Sequence, residues 1–141
     1  MRKMANKKGF TIVELVIVIA VIAILAGVMI PTFSGVIDKA NQSARQQAVT
    51  AAYKDAYGVA LSDGDISANE VIENDENGFI FVFNADDTIN AIFVNTSINT
   101  KFKGLEGDAL KVTVAEQEIT VGLLADDDAF DAMVESLKNP A

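Results

Sequence analysis

The side chains able to do chemistry are few in kind. No histidine and no cysteine occurs among the 141 residues, which removes the commonest general base, the strongest nucleophile, disulfides and thiolate metal sites. No Gly-rich phosphate loop and no Gly-x-Ser-x-Gly elbow is present. What remains is carboxylate, 20 Asp and Glu in all. A carboxylate pair can run glycoside hydrolysis, but with so many acids no one pair is singled out. The expectation is therefore no enzyme, no catalytic residue, no cofactor and no metal. Two clusters invite a cation. Asp63-Gly64-Asp65-Ile66-Ser67 imitates the start of an EF-hand loop, yet Ala68 stands where that loop needs Gly and Asn74 where it needs Glu. A looser calcium site there is the alternative. Asp126-Asp127-Asp128 reads as a helix N-terminus, with Asp126 capping and the others opposing the dipole. One carboxylate stands apart: Glu14 lies inside an apolar run, where charge is expensive and usually marks function.

That run sets the architecture. From Leu15 to Ile30 no side chain is charged or hydrogen-bonding. Phe10 to Ile30 as a helix is about 30 Å long, the thickness of a bilayer core. Arg2, Lys3, Lys7 and Lys8 crowd its N-terminal side, which places the N-terminus in the cytoplasm and everything after Ile30 outside. A cleaved secretory signal carries its small residue behind the apolar run; here Gly9 lies ahead of it. Glu14 must find a partner, protonate, or snorkel to the interface past the four residues before it.

The stretch Lys7-Lys8-Gly9-Phe10-Thr11-Ile12-Val13-Glu14-Leu15, followed by the apolar helix and Pro31, resembles the N-terminus of type IV prepilins and pseudopilins. The resemblance covers roughly Lys7 to Tyr57; nothing specific is recognised from Leu61 onward. It implies a cut between Gly9 and Phe10 by a prepilin peptidase, N-methylation of Phe10, and a need for Glu14 in filament assembly, paired with the Phe10 amine of a neighbouring subunit. Many members close a loop with a disulfide, which this chain cannot do. Gly27, Pro31 and Gly35 make a weak spot at the outer end of the anchor, since Pro31 has no N–H to offer the carbonyl of Gly27. It reads either as a kink at the membrane boundary or, as the family implies, as a segment that melts or extends in the filament.

The rest of the chain predicts one compact α+β unit. Phe33, Ile37, Ala40, Ala44, Ala48 and Ala51 recur at helical intervals to about Leu61 and form one stripe. Gly58 and Ser62-Asp63-Gly64-Asp65 end that helix. Ser67 and Glu70 are spaced as a capping box for a short helix to Glu73. Asp75-Glu76-Asn77-Gly78 reads as a turn. Strands follow at Phe79 to Phe83 and Ile89 to Val94, joined by a hairpin loop, with both faces of the first covered. A second hairpin has Leu110, Val112, Val114, Ile119, Val121 and Leu123 facing inward. A helix from Asp127 to Leu137 closes the chain, apolar at Phe130, Met133, Val134 and Leu137. Tyr53 and Tyr57 are either surface contacts or core beneath the sheet edge. The expected organisation is a leader at 1–9, a transmembrane half-helix at 10–30, an amphipathic half-helix at 31–61 and a globular head at 62–141. The head packs the long helix on an antiparallel sheet of about four strands, with the C-terminal helix added.

The formal charge is −9, and loss of the four basic residues of the leader takes it to −13. So acidic a surface disfavours DNA and anionic lipid, and no specific nucleic acid is expected. The function expected is a structural subunit of a type IV pilus or pilus-like filament. It waits in the cytoplasmic membrane, is processed, and polymerises through its apolar helix into an extracellular fibre. Partners implied by the family are itself or related pilins, the peptidase, and an assembly platform with its ATPase. The alternatives are a pseudopilin of a type II secretion or DNA-uptake system and, from another class, a membrane-tethered binding module that never polymerises.

Overall fold

A computed structural model describes residues 9–140. The basic leader residues Arg2, Lys3, Lys7 and Lys8 lie outside the described residues. Helix α1 runs Ile12–Ala60, and a 3-10 turn at Leu61–Asp63 ends it at Gly64 (φ 118°). Strands follow at β1 Glu70–Asn74, β2 Phe79–Phe83, β3 Ile89–Asn95, β4 Lys111–Val114, β5 Gln117–Thr120 and β6 Gly122–Leu124. Helix α2, Asp127–Lys138, closes the chain. The chain divides into two units, Met1–Ala40 and Asn41–Ala141.

The first unit holds only helix among its described elements. Apolar side chains surround it on every side, and all of them are exposed. The helix passes through Pro31 without a break. Just beyond, the Thr32 hydroxyl donates to the carbonyl of Val28 at 2.9 Å, a bond that often accompanies a bend. No Cβ added at Gly27 or Gly35 would touch a neighbouring atom.

The second unit is a sheet covered on both faces. β1, β2 and β3 form an antiparallel meander in the order β1-β2-β3-β6. β2 (Phe-Ile-Phe-Val-Phe) is buried at all five positions. Phe79, Phe81 and Phe83 face the second half of α1, where Val49, Ala52, Ala56 and Ala60 are buried and Tyr53 and Tyr57 pack alongside. Ile80 and Val82 face the other way, onto Phe130 and Val134 of α2. The tyrosine question is answered for the core: Tyr53 stacks on Tyr57 (ring centroids 5.7 Å) and both approach Phe83 within about 6.3 Å.

Three local expectations are corrected. The stripe on α1 is rotated by one position. Val49, Ala52, Ala56 and Ala60 are buried, whereas Phe33, Ile37, Ala40 and Ala51 are exposed and Ala44 and Ala48 half-buried. Two interleaved alanine rows share this helix, and the row next to Tyr53 and Tyr57 is the one that meets the phenylalanines. The predicted short helix after Ser67 is a turn leading into β1. Half of the capping box does form, as Glu70 accepts the backbone N–H of Ser67 at 2.8 Å, but β-branched Val71 and Ile72 then pair with Val82 and Phe81. Finally, the fourth strand of the sheet is parallel. The second hairpin closes as its own two-stranded sheet, β4 with β5. After Val121 the chain crosses to run beside β3, pairing Phe93 with Gly122 and Val94 with Leu123. Gly122 permits this, because a Cβ there would lie 2.5 Å from the Phe93 ring.

Buried polar groups stitch the pieces together. The side chain of Asn95, fully buried, donates to Asp127 at 2.7 Å and accepts from the backbone N–H and hydroxyl of Ser97. Asp126 caps α2 by accepting from the N–H of Ala129 at 2.9 Å, as its sequence predicts. Gln46 on α1 pairs its amide with both backbone groups of Thr113, accepting from the N–H at 2.9 Å and donating to the carbonyl. That fastens the edge of β4 to the helix.

Candidate functional site

The site is the start of α1. Gly9, Phe10 and Thr11 precede the helix in non-helical conformation, and Phe10 is 91% exposed. An exposed, non-helical Gly9-Phe10 junction next to a helix start is open to a protease. Glu14 stands in the first turn and is also exposed.

A feature not read from the sequence joins these residues. The Thr11 hydroxyl accepts the N–H of Glu14 at 3.2 Å, and Glu14 Oε2 accepts the N–H of Thr11 at 3.3 Å. This is a complete capping box, with two orphan donors satisfied reciprocally. The signal was present as Thr11-x-x-Glu14 just ahead of an apolar run. The box fixes where the helix begins and holds the carboxylate back toward residue 11. A negative charge there also complements the positive end of the helix.

Beyond the box, all but three of the exposed large hydrophobic side chains among the described residues lie between Phe10 and Ile37. The mean hydropathy of the best 18-residue window of this helix is 3.0, with none of that window buried. Surface of this kind requires lipid or other apolar helices around it. Glu14 is the only ionisable side chain from Phe10 to Ile37. Its second carboxylate oxygen makes no hydrogen bond within the described residues, so a cationic partner can be added without breaking the cap.

The structure brings together Phe10, Thr11 and Glu14, and leaves Gly27, Pro31 and Gly35 spaced along one exposed helical face region further on. Among the described residues no group of three or more acidic side chains is placed to hold a metal ion. Asp63 and Asp65 are exposed on the turn that follows α1.

Comparison with known proteins bears on the same segment. Residues 4–30 match the prokaryotic N-terminal methylation motif. The chain is 41% identical over 73 residues to the type IV narrow pilus major component of Thermus thermophilus, which is 50% of this chain and 62% of that protein. It is 44% identical over 61 residues to the type IV major alpha-pilin of Moraxella bovis, covering 43% of this chain and 38% of the relative. A longer match, 31% identical over 131 residues, relates 93% of this chain to 79% of fimbrial protein Q of Moraxella bovis. The chain thus spans less than two thirds of the first two relatives and more than three quarters of the third. No solved structure gives a significant match.

Proposed function

Because the chain belongs to the type IV pilin family, we infer that it is the structural subunit of a pilus-like filament. It is inserted in the cytoplasmic membrane through α1, cut between Gly9 and Phe10 and methylated on the new amine. It is then drawn from the membrane into an extracellular fibre whose core is the bundled apolar helices. The partners on this reading are further copies or related pilins, a prepilin peptidase, and an assembly platform driven by an ATPase. The head packs around the second half of α1 and provides the fibre's surface. Gly27, Pro31 and Gly35 are its point of give, because Pro31 leaves the Gly27 carbonyl without its helical donor.

The observation that carries this reading is Glu14, a lone carboxylate held by a capping box at the head of a wholly exposed apolar helix. A plain tether could use it as a cap but has no use for its charge, since glutamine closes the same box. Apolar helices slide freely against one another, so a fibre needs a polar contact to set register. Cutting after Gly9 creates a cation at Phe10, and a neighbour's Glu14 is the one carboxylate able to meet it inside the bundle. The pair gives registry more than raw stability, because desolvation opposes much of its Coulombic gain.

The test is to shear cells and compare fibre-bound with membrane-bound subunit. Glu14→Ala is expected to be cleaved and folded normally yet absent from fibres, and Glu14→Asp to be partly defective. Wild-type fibre yield from Glu14→Ala would remove the registry role of Glu14, and a wild-type chain absent from sheared fibres would sink the filament reading.

A further inference from the structure

Five of the seven cations in the described chain have no carboxylate within ion-pair distance; only Lys111 and Lys138 are paired, with Asp108 and Glu118 and with Glu73. Three of those five, Arg45, Lys101 and Lys103, line one cleft of about 340 Å³ together with Asn41, Thr100 and Leu105. In a chain with 20 acidic residues, a cleft that gathers three cations and lacks an acid of its own is an unmatched charge. It is also a built feature. Phe102, fully buried, plugs edge-on against Phe79 (ring centroids 5.8 Å). The 3-10 turn Thr100–Phe102 thereby holds Lys101 and Lys103 outward on either side.

The opposite charge is unmatched as well. Helix α1 ends with no basic residue in its last turn, so its negative pole is uncompensated. Asp63 and Asp65 follow immediately, exposed, flanking Gly64. Neither side chain makes a hydrogen bond or ion pair among the described residues, whereas other acids are taken up internally: Asp126 caps α2, Asp127 holds Asn95, Asp86 holds Thr88 and Glu70 holds Ser67.

We propose that the Arg45–Lys101–Lys103 cleft receives the Asp63–Asp65 end of α1 from a second copy of this chain. The inference rests on the filament reading, in which copies lie with their helices parallel. Arg45 and Asp63 are separated by 18 residues of the same helical segment, so the contact requires neighbours staggered by about 25–30 Å along the axis. Subunits this acidic repel one another when stacked. A positive cleft on each, meeting the negative pole of the next, converts that repulsion into a directional, heterologous contact between successive subunits.

The experiment uses the full chain in cells that make its fibres. Lys101→Glu with Lys103→Glu is expected to lower the fibre-bound fraction about ten-fold, and adding Asp63→Lys with Asp65→Lys to restore it, since the reversed charges again face each other. Thermal melting of the detergent-solubilised full-length subunit is expected to be unchanged by the cleft pair, which separates lost assembly from lost folding. Normal fibres from the reversed cleft would overturn the proposal, as would a loss that the reversed pole does not rescue. A wild-type chain that makes no fibres at all would instead remove the filament reading and this contact with it.

Discussion

At the scale of single residues, Glu14 holds two roles that ordinary substitutions confuse. Its carboxylate closes a capping box with Thr11, and its charge is the proposed registry element. Glutamine closes the same box without the charge. Glu14→Gln is therefore expected to keep the helix start and still fail to enter fibres, as read by shearing and immunoblot. Wild-type assembly by Glu14→Gln would reduce the residue to a cap. Thr11 is legible in principle, since the box spacing stands in the sequence, but the apolar run that marks Glu14 as costly carries no such mark for a threonine. Asn95 was not legible: a polar residue at the end of an apolar strand gives no hint that it will be buried against a helix N-terminus. Asn95→Ala leaves Asp127 and Ser97 without their partner and is expected to cost about 1–3 kcal/mol in denaturant unfolding. No change in the midpoint would contradict the packing described here. Tyr53 gives a pH signature. Burial, then the neighbouring charges of Tyr57 and Asp87, raise its ionisation above the usual 10.0. The unfolded chain releases this proton first, so the contribution is present below about pH 10 and lost as pH rises through the folded value. Melts over that alkaline range should fall less steeply in Tyr53→Phe, and identical slopes would contradict the burial of Tyr53.

At the scale of elements, α1 shows why composition outran detail. Its apolar half is unmistakable because nothing else places so many aliphatic residues in a row. Its second half carries two alanine rows, and periodicity cannot say which one a sheet will choose. Ala52 is 1% exposed while Ala51 is open to solvent. Ala52→Leu is expected to destabilise the head by about 1–3 kcal/mol through overpacking against the phenylalanines, with Ala51→Leu near neutral in the same unfolding assay. The reverse order would mean that the helix is rotated from the face described. The strands divide in a similar way. β2 announces itself through an unbroken apolar run of five and β3 through its Ile, Phe and Val residues, and α2 through Asp126 and its four apolar positions. β1 is hidden in the sequence because Ser67 and Glu70 imitate a helix start while Val71 and Ile72 are recruited by tertiary pairing. β6 is hidden as well, because a parallel partner is chosen by the whole sheet and its local mark is Gly122. Gly122→Val should drive a side chain into the Phe93 ring and lower the melting temperature. An unchanged midpoint would argue that β6 does not lie against β3.

At the scale of the whole molecule, an acidic head that buries its own core and an apolar helix that buries nothing have different solvents. The first is at home in water and the second is not, so the helix must exchange lipid for other helices if the protein is to leave the membrane. On the proposed function a fibre provides that exchange, and the proposed cleavage after Gly9 supplies an amine for Glu14 to meet within the bundle. The most direct measurement is mass spectrometry of the subunit recovered from sheared surface fibres. The account predicts a chain that begins at N-methylated Phe10 and ends in the intact head. A subunit found only in the membrane fraction, with Met1 to Gly9 still attached, would contradict it.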